Sequence, residues 1–276
     1  MKKQISLAIA LLFVIGFANA QALNPTAATK TALKLTKQTK QTTNTKVTAE
    51  GQDVSTRSDN TVTMFYDVSA ITAQGGTTEI KITAMKVSSE SDGGDASYDS
   101  QNPDEGDSRI GDVVKETMKT PIKITLDANG LITSVKGNEK MEAAASRNPE
   151  GSIYKKGELI DLFFKLDKAV KPGDIWTTKT DTKESKTTND YTYKSYENGM
   201  ATIELISSIK LDQKIEQMGM TMYSKMEGKI VSTIVVDVNT LIIKNKTTTT
   251  VLNGNIDAQG QTAPLSIFST STETIN

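Results

Sequence analysis

The stretch TPIKITLDANGLITSVKG, residues 120–137, contains the clearest hairpin signal in the chain. Apolar and polar residues alternate on both sides of Asn129-Gly130, and this pair supplies the positive φ that a tight turn between antiparallel strands needs. Similar segments, rich in threonine, lysine and β-branched residues, recur along the chain with turn signals between them. The sequence therefore predicts a protein built mainly from antiparallel strands.

Further strands are predicted from the same alternation. Residues 60–72 and 78–87 read as a hairpin, because a Gly-Gly pair lies between them. In ATIELISSIKL, Ile203 and Leu205 share one face whereas Glu204 takes the other, which is typical of a sheet with one solvated side. The remaining predicted strands lie in residues 30–48, 201–211, 228–238, 241–251 and 264–275.

Helical signals are scarce. Residues 138–146, NEKMEAAAS, are rich in alanine, and Asn138 is a plausible N-cap. Residues 156–166, KGELIDLFFKL, place four apolar side chains on one helical stripe, which predicts an amphipathic helix that covers part of the sheet. The members of that stripe are Leu159, Leu162, Phe163 and Leu166.

These elements predict an α+β fold that is mostly β. We expect one large curved antiparallel sheet, half-barrel-like, with one or two helices on its concave face. No Pro/Ser-rich linker divides the strands, so residues 21–276 are expected to form a single domain.

The first twenty residues, MKKQISLAIALLFVIGFANA, have the pattern of a secretory signal peptide. Lys2 and Lys3 precede an apolar run that is too short to span a membrane, and an Ala-Asn-Ala triplet follows. We expect cleavage after Ala20, with no transmembrane segment left in the mature protein. Because the chain has no cysteine, lipidation at an N-terminal cysteine is excluded, and the expected location is periplasmic or extracellular.

Composition excludes several classes of function. With no histidine and no cysteine, the chain cannot form a Ser-His-Asp triad, a cysteine nucleophile or a histidine-bound zinc centre. The formal net charge of −1 gives no electrostatic footprint for nucleic acid. We therefore expect a protein that is not an enzyme and that needs no cofactor.

The only tryptophan, Trp176, lies in VKPGDIWTTKT, residues 170–180. Pro172-Gly173 suits the corner of a type II turn, which would direct the next strand and fix the side that the indole takes. No second aromatic residue is close in sequence, so a structural anchor in the core is favoured over a ligand platform.

Methionines recur at period two in QMGMTMYSKMEG, residues 217–228, so Met218, Met220 and Met222 would share one strand face. Three interpretations stay open. Methionine fills irregular cores, it lines adaptable lipid-binding surfaces, and its thioether is a soft ligand for Cu(I). Without histidine or cysteine to complete a soft site, we predict no metal there.

An acidic, glycine-rich stretch lies between residues 88 and 109 and is expected to be an exposed loop. Its carboxylates could in principle hold Ca²⁺, but their spacing does not match an EF-hand, so a solvated charged loop is favoured. They are Asp92, Asp95, Asp99, Asp104 and Asp107.

The order of these features resembles a family of exported bacterial domains of unknown function. The similarity rests on the signal peptide, the Asp127-x-x-Gly130 hairpin, the Gly173-Asp-x-Trp176 motif and the strands in residues 226–244. It spans nearly all of the chain after residue 20. Leu241 stands where such proteins tend to carry glycine, which leaves the turn type at that hairpin open.

At the level of fold alone, the long strands with interrupting helices are similar to periplasmic lipoprotein carriers. That resemblance implies a concave apolar cleft for acyl chains, although a shared fold does not by itself establish a function. The leading hypothesis is reversible binding of a lipid or other hydrophobic ligand between the sheet and the helix at 156–166. The alternative is a structural or protein-interaction module of the cell envelope with a filled core. The cleft candidates are Met218, Met220, Met222, Leu159, Leu162, Phe163 and Leu166.

Overall fold

Alternation of apolar and polar residues, with proline almost absent from the periodic segments, gives this chain long strands. A computed structural model describes residues 22–23, 31–49, 51–91, 94–137, 154, 156–217, 220–258 and 260–276. Most of the described residues lie in strands, so the protein is mostly β, as predicted. The strands are β1 (Leu33–Ala49), β2 (Gln52–Val68), β3 (Gly76–Ser91), β4 (Ala96–Asp99), β5 (Ile122–Leu126), β6 (Ile132–Lys136), β7 (Ile175–Asp181), β8 (Ser185–Glu197), β9 (Met200–Gln217), β10 (Met220–Asp237), β11 (Ile243–Ala258) and β12 (Gln261–Ile275).

All twelve strands belong to one antiparallel sheet that is not closed. Its order is β6-β5-β3-β2-β1-β12-β11-β10-β9-β8-β7, and β4 pairs with β3 outside this path. The first strand therefore lies beside the last one, and β6 and β7 form the two edges. The predicted hairpins β2–β3 and β5–β6 and the predicted strand at 264–275 are confirmed.

One side of the sheet carries the main core, and we call it the inner side. In β1, Leu33 and Leu35 point to this side, and so does Lys37 two residues farther on. Tyr66 of β2 and Tyr193 of β8 are fully buried there. The opposite, outer side carries mostly threonine, lysine and asparagine, as the alternation predicted for a sheet with one solvated face.

The helix in the described part of the chain, α1 (Ser108–Lys119), was not predicted. Its Val114 is buried, and Gly111 lies so close to the Tyr98 ring that an added Cβ would be 2.6 Å from a ring carbon. None of the described helices is long and apolar enough to cross a membrane. The helix predicted at 138–146 and the signal peptide at 1–20 lie outside the described residues.

The prediction of a helix at residues 156–166 is wrong. These residues form turns and isolated bridges, and Gly157 has a positive φ of 87° that a right-handed helix does not allow. Ile160, Leu162, Phe163 and Phe164 are all buried, so the apolar run is enclosed on several sides instead of forming a single stripe. We call residues 156–170 the strap, because they cross the inner side between the two edges of the sheet.

A second, smaller apolar cluster lies far from the strap, toward the other end of the long strands. Its buried members are Leu211, Met226 and Leu252. Next to it β10 and β11 approach each other closely, because a Cβ on Gly228 would lie 1.9 Å from the Val251 carbonyl oxygen. A Cβ on Gly254 would meet the Lys225 carbonyl oxygen at the same distance, so this close approach of the two strands requires glycine at both positions.

Between the two apolar clusters the inner side is lined by small polar residues. The Ser207 hydroxyl donates a hydrogen bond to the side-chain amide oxygen of Asn189 at 2.7 Å, and the Ser232 and Thr248 hydroxyls are 2.9 Å apart. Gln41 donates from its side-chain amide to the Ser269 hydroxyl at 3.1 Å. This polar belt meets its hydrogen-bonding needs within the sheet, which allows its serines to be buried.

Candidate functional site

Two similar turns shape the end of the inner side where the strap lies. In the first, the Asp127 carboxylate accepts hydrogen bonds from the backbone N–H groups of Asn129 (2.8 Å) and Leu131 (2.9 Å). In the second, the Asp237 carboxylate accepts them from Asn239 (2.9 Å) and Thr240 (3.1 Å). Each aspartate fixes its turn by the same local side-chain to backbone bonding.

In the second turn, Leu241 stands where glycine was expected, and its backbone takes the conformation that glycine would take. Leu241 adopts a φ of 57°, in the left-handed region that favours glycine. Its side chain is nevertheless buried in the main core. Burial of the leucine offsets a conformational cost of about 1–2 kcal/mol that glycine would avoid.

The strap is hydrogen-bonded to both turns. Ile132, just after the first turn, donates to the Glu158 carbonyl oxygen and accepts from the Gly157 N–H, each at 2.8 Å. After the second turn, Phe164 donates to the Leu241 carbonyl at 2.8 Å, and Ile243 donates to the Leu162 carbonyl at 2.9 Å. These bonds give the irregular strap the backbone partners that a helix would otherwise have supplied.

A buried ionic cluster ties the strap to the sheet. Lys37 lies 2.6 Å from Asp161 of the strap and 2.6 Å from Glu273 of β12. Only 7% of the Lys37 side chain is exposed, so its charge depends on these two carboxylates. Lys246 of β11 lies 3.5 Å from the other oxygen of Glu273, which completes a cluster with two charges of each sign.

Two buried tyrosines extend this cluster. The Tyr66 hydroxyl donates to the Asp161 carboxylate, with distances of 3.1 and 3.3 Å to its two oxygens. The Tyr154 hydroxyl lies 3.1 Å from that of Tyr66. Asp161 is therefore held by an ammonium group and a phenol, both supplied by the sheet.

The environment fixes the protonation state of these groups. Burial alone would lower the pKa of Lys37, but the charges of Asp161 and Glu273 and hydrogen bonds to both raise it above its usual value. Burial, followed by the charge of Asp161, raises the pKa of Tyr66 and of Tyr154 well above the ordinary value for tyrosine. At neutral pH the lysine is charged and both phenols are protonated.

This arrangement suits positioning better than chemistry. A lysine that acts as a nucleophile or a base needs a lowered pKa, whereas that of Lys37 is raised. A tyrosine base would need the opposite shift from the one that Tyr66 and Tyr154 show. The pKa shifts of Lys37, Tyr66 and Tyr154 therefore suit a cluster that holds the strap in place.

Stability should fall in acid partly through Glu273. Burial alone would raise its pKa, but Lys37 and Lys246 hold it below its ordinary value of 4.5. A depressed carboxyl pKa contributes stability above the unfolded-state value and loses it as pH falls through the folded-state value. We therefore expect the free energy of unfolding, measured by urea titration, to decrease from pH 6 to pH 3.

The matched variant for this prediction is Glu273→Gln, which keeps the shape of the side chain and removes its titration. Its free energy of unfolding should be lower at pH 6 and should change less between pH 6 and pH 3. An equal pH dependence in the two proteins would contradict the assigned role of Glu273. Lys37 affects stability at high pH instead. Because its pKa is raised, its contribution to the free energy of unfolding is lost only as pH rises above the ordinary lysine value of 10.5.

Trp176 lies in an aromatic cluster at the edge of the sheet. Its ring stacks on Tyr191 of β8, with centroids 5.0 Å apart and planes 6° from parallel. Phe164 of the strap meets both rings edge-on, at 6.3 Å from Trp176 and 6.0 Å from Tyr191. Trp176 is half-buried and packs against the main core, with partners that are distant in sequence.

The Pro172-Gly173 corner has the features of the predicted type II turn. The Asp174 N–H donates to the Lys171 carbonyl at 3.0 Å, and Gly173 has a φ of 93° at the third position. The turn leaves Ile175 exposed and, by alternation, directs Trp176 inward.

Replacing Trp176 by alanine should destabilise the protein by about 2–3 kcal/mol, below the about 3–5 kcal/mol of a fully buried aromatic. The loss comes from the stacked ring pair and the edge contact with Phe164. Thermal unfolding monitored by circular dichroism measures this loss of stability. The control is Ile175→Ala, because Ile175 lies on the same strand and is 71% exposed. A variant with an unchanged melting temperature that lost a ligand would make Trp176 a platform instead of an anchor.

Of the cleft candidates that the structure describes, Met222 lies far from those of the strap. Leu159, Leu162, Phe163 and Leu166 all belong to or pack against the main core. Met222 lies near the start of the 18-residue strand β10, about 50 Å along that strand from the end beside the strap. Met218 and the side chain of Met220 lie outside the described residues.

The acidic stretch is more ordered than predicted, because β4 and the start of α1 fall within it. Its described carboxylates serve local structure: Asp99 accepts from the Gln101 N–H at 2.9 Å, and Asp107 accepts from the Ile110 N–H at the start of α1. Within the described ranges, no three acidic residues are grouped as a metal site would require. Asp92 lies outside those ranges.

A family model described as a family of unknown function, DUF6263, matches residues 74–165 and 162–243. Together these matches cover more than half of the chain, from β3 to the second of the two similar turns. No curated protein matches the sequence.

Several solved structures are similar to the chain at low scores. DynF from the dynemicin biosynthesis pathway of Micromonospora chersina is 8% identical, with 98% of this chain and 92% of DynF covered and a TM-score of 0.22. An outer membrane channel from Pseudomonas putida F1 is 7% identical, with 89% and 96% covered and a TM-score of 0.21. TM-scores this low carry no argument about this protein.

Proposed function

The chain belongs to this family of unknown function, and on that premise we propose that it is a non-enzymatic module of the cell envelope with a filled core. It would act through contacts with other envelope components. The observation that carries this proposal is the strap, whose Leu162, Phe163 and Phe164 are buried in the main core. A ligand could enter there only if the strap left.

The energetics favour a strap that stays in place. Three adjacent side chains, one leucine and two phenylalanines, would lose burial worth roughly 1.5–3 kcal/mol each if the strap lifted. The same movement would separate Asp161 from Lys37 and leave a buried ammonium with one carboxylate fewer. Close packing of this kind is the ordinary state of a protein interior.

Part of the proposal concerns shape and location. The sheet would curve as a half-barrel around the strap, which takes the place that helices were expected to fill. Residues 1–20 would direct export and be removed, which places the mature protein in the periplasm or outside the cell. N-terminal sequencing of the exported product should begin at or near Gln21, whereas recovery of an intact Met1 in membranes would contradict this.

A second candidate, reversible binding of a hydrophobic ligand, is favoured by the smaller apolar cluster. Ile209, Leu265 and Ile267 are only partly buried around Leu211, Met226 and Leu252, and the strap lies away from them. Met222 points to the same side of β10, four residues from Met226. If a lipid binds, this end of the inner side is a better location than the space under the strap.

The only tryptophan in the chain gives a direct test, because Trp176 contacts Phe164 of the strap. We expect its fluorescence to be unchanged by oleate or phosphatidylglycerol vesicles, and native mass spectrometry to show a protein without copurifying lipid. Crosslinking in intact cells should then recover envelope proteins. Copurifying lipid would overturn the filled-core proposal in favour of the second candidate, and a tryptophan shift would locate the lipid under the strap.

A further inference from the structure

A groove on the outer side of the sheet combines an exposed aromatic ring with neutral polar groups. Phe268 of β12 is 46% exposed, and Val251, directly opposite on β11, is 42% exposed. Both side chains line a concave groove whose other lining residues are mostly polar, and a few polar groups placed around apolar side chains are typical of ligand sites. The groove has a volume of about 690 Å³, within the range of about 300–1,000 Å³ that is typical of ligand sites.

Strand register places amides and hydroxyls around this pair. Asn44 lies opposite Phe268 on β1, and Lys46 and Asn253 flank Ser266 in the next row. Within the described part of the chain, neither Asn44 nor Asn253 makes a side-chain hydrogen bond. Each amide therefore offers two donors and an acceptor to whatever occupies the groove.

The two cations that line the groove are already paired. Arg57 lies 3.0 Å from Asp59, and Lys46 lies 2.6 Å from Asp53. Glu90 and Asp95 also line the groove, so it has no excess of positive charge that would attract a phosphate or another polyanion. An entirely apolar ligand fits poorly as well, since polar groups surround the Phe268–Val251 pair.

We propose that this groove binds a neutral oligosaccharide. A sugar ring presents C–H groups on one face, which pack on an aromatic ring, and hydroxyls at its rim, which pair with planar amides. Phe268 would supply the stacking surface, and Asn44 and Asn253 would bind ring hydroxyls on either side. The site is on the opposite side of the sheet from the strap, so it does not depend on the filled-core proposal.

The test uses the mature protein on an array of neutral and acidic oligosaccharides, followed by calorimetric titration of the best neutral binder. Phe268→Leu keeps apolar area but removes the ring, and we expect it to weaken binding by about tenfold or more. Phe268→Trp should bind at least as well as the native protein. Val231→Ala, which changes another exposed residue on the outer side, should leave binding unchanged.

Asn253→Ala provides a second variant that leaves the cross-strand pair intact, and it should also weaken binding. Three outcomes would overturn the proposal: no neutral oligosaccharide binds the native protein, Phe268→Leu and Asn253→Ala both bind normally, or acidic glycans bind best. Any of these would leave Phe268 and Val251 as a cross-strand pair that only stabilises the sheet.

Discussion

Replacing Lys37 by methionine should lower the free energy of unfolding by about 3–5 kcal/mol, the range for breaking a buried ion pair by removing one partner. The variant would leave Asp161 and Glu273 close together without the ammonium that pairs with both. Urea denaturation at pH 7 measures the loss. Part of it should be recovered in acid, because loss of Lys37 removes the main charge that lowers the pKa of Glu273, and protonation of that carboxylate then removes one of the two negative charges.

Lys46→Met is the matched control for this prediction. Lys46 lies on the same strand and is also 2.6 Å from a carboxylate, that of Asp53, but both side chains are about half exposed. Surface pairs of this kind contribute little to stability, because water and salt screen them, so this substitution should have a much smaller effect. Equal effects of the two substitutions would show that burial of the Lys37 cluster has no energetic weight.

Replacing Phe164 by alanine should cost about 3–5 kcal/mol, because the ring is buried and meets both Trp176 and Tyr191 edge-on. The effect should also be local. The Ile243 N–H donates to the Leu162 carbonyl of the strap, so its hydrogen exchange should accelerate more than that of amides in the β1–β2 pair.

Phe65→Ala is the control, since Phe65 lies on the outer side of β2 and is only partly buried. It should destabilise the protein less and leave exchange at Ile243 almost unchanged. A Phe164→Ala variant with native stability would mean that the strap is not anchored by its aromatic residue, and the filled-core proposal would lose its main support.

The strands could be predicted from the sequence because the sheet has one apolar and one solvated face. Apolar and polar side chains therefore alternate along each strand. Asn129-Gly130 located its hairpin correctly for a different reason, because the turn depends on the local backbone preference of these two residues. The strap could not be predicted in this way. Its apolar spacing matches a helix, but its conformation is set by hydrogen bonds to Ile132, Leu241 and Ile243, which are distant in sequence.

Two members of the ionic cluster could have been placed from the sequence. Lys37 follows Leu33 and Leu35 at period two, and Glu273 precedes Ile275 in the same way, so alternation places both charges on the apolar side. The same alternation could not reveal Asp161, the carboxylate that the strap contributes to the cluster. In a helix Asp161 would lie away from the apolar stripe, whereas in the strap it turns toward Lys37.

β1 acquires one of its two neighbours only after almost the whole chain has been synthesised. Gln41 and Ser269, which are hydrogen-bonded across β1 and β12, are 228 residues apart in sequence. Pairing over such a separation is slow, because the entropy of closing the loop is lost before any contact forms. Until then β1 is a free edge that another chain could extend. Lys34, Lys40 and Lys46, which line its outer side, would act during this interval as charges that disfavour aggregation of the unfinished protein.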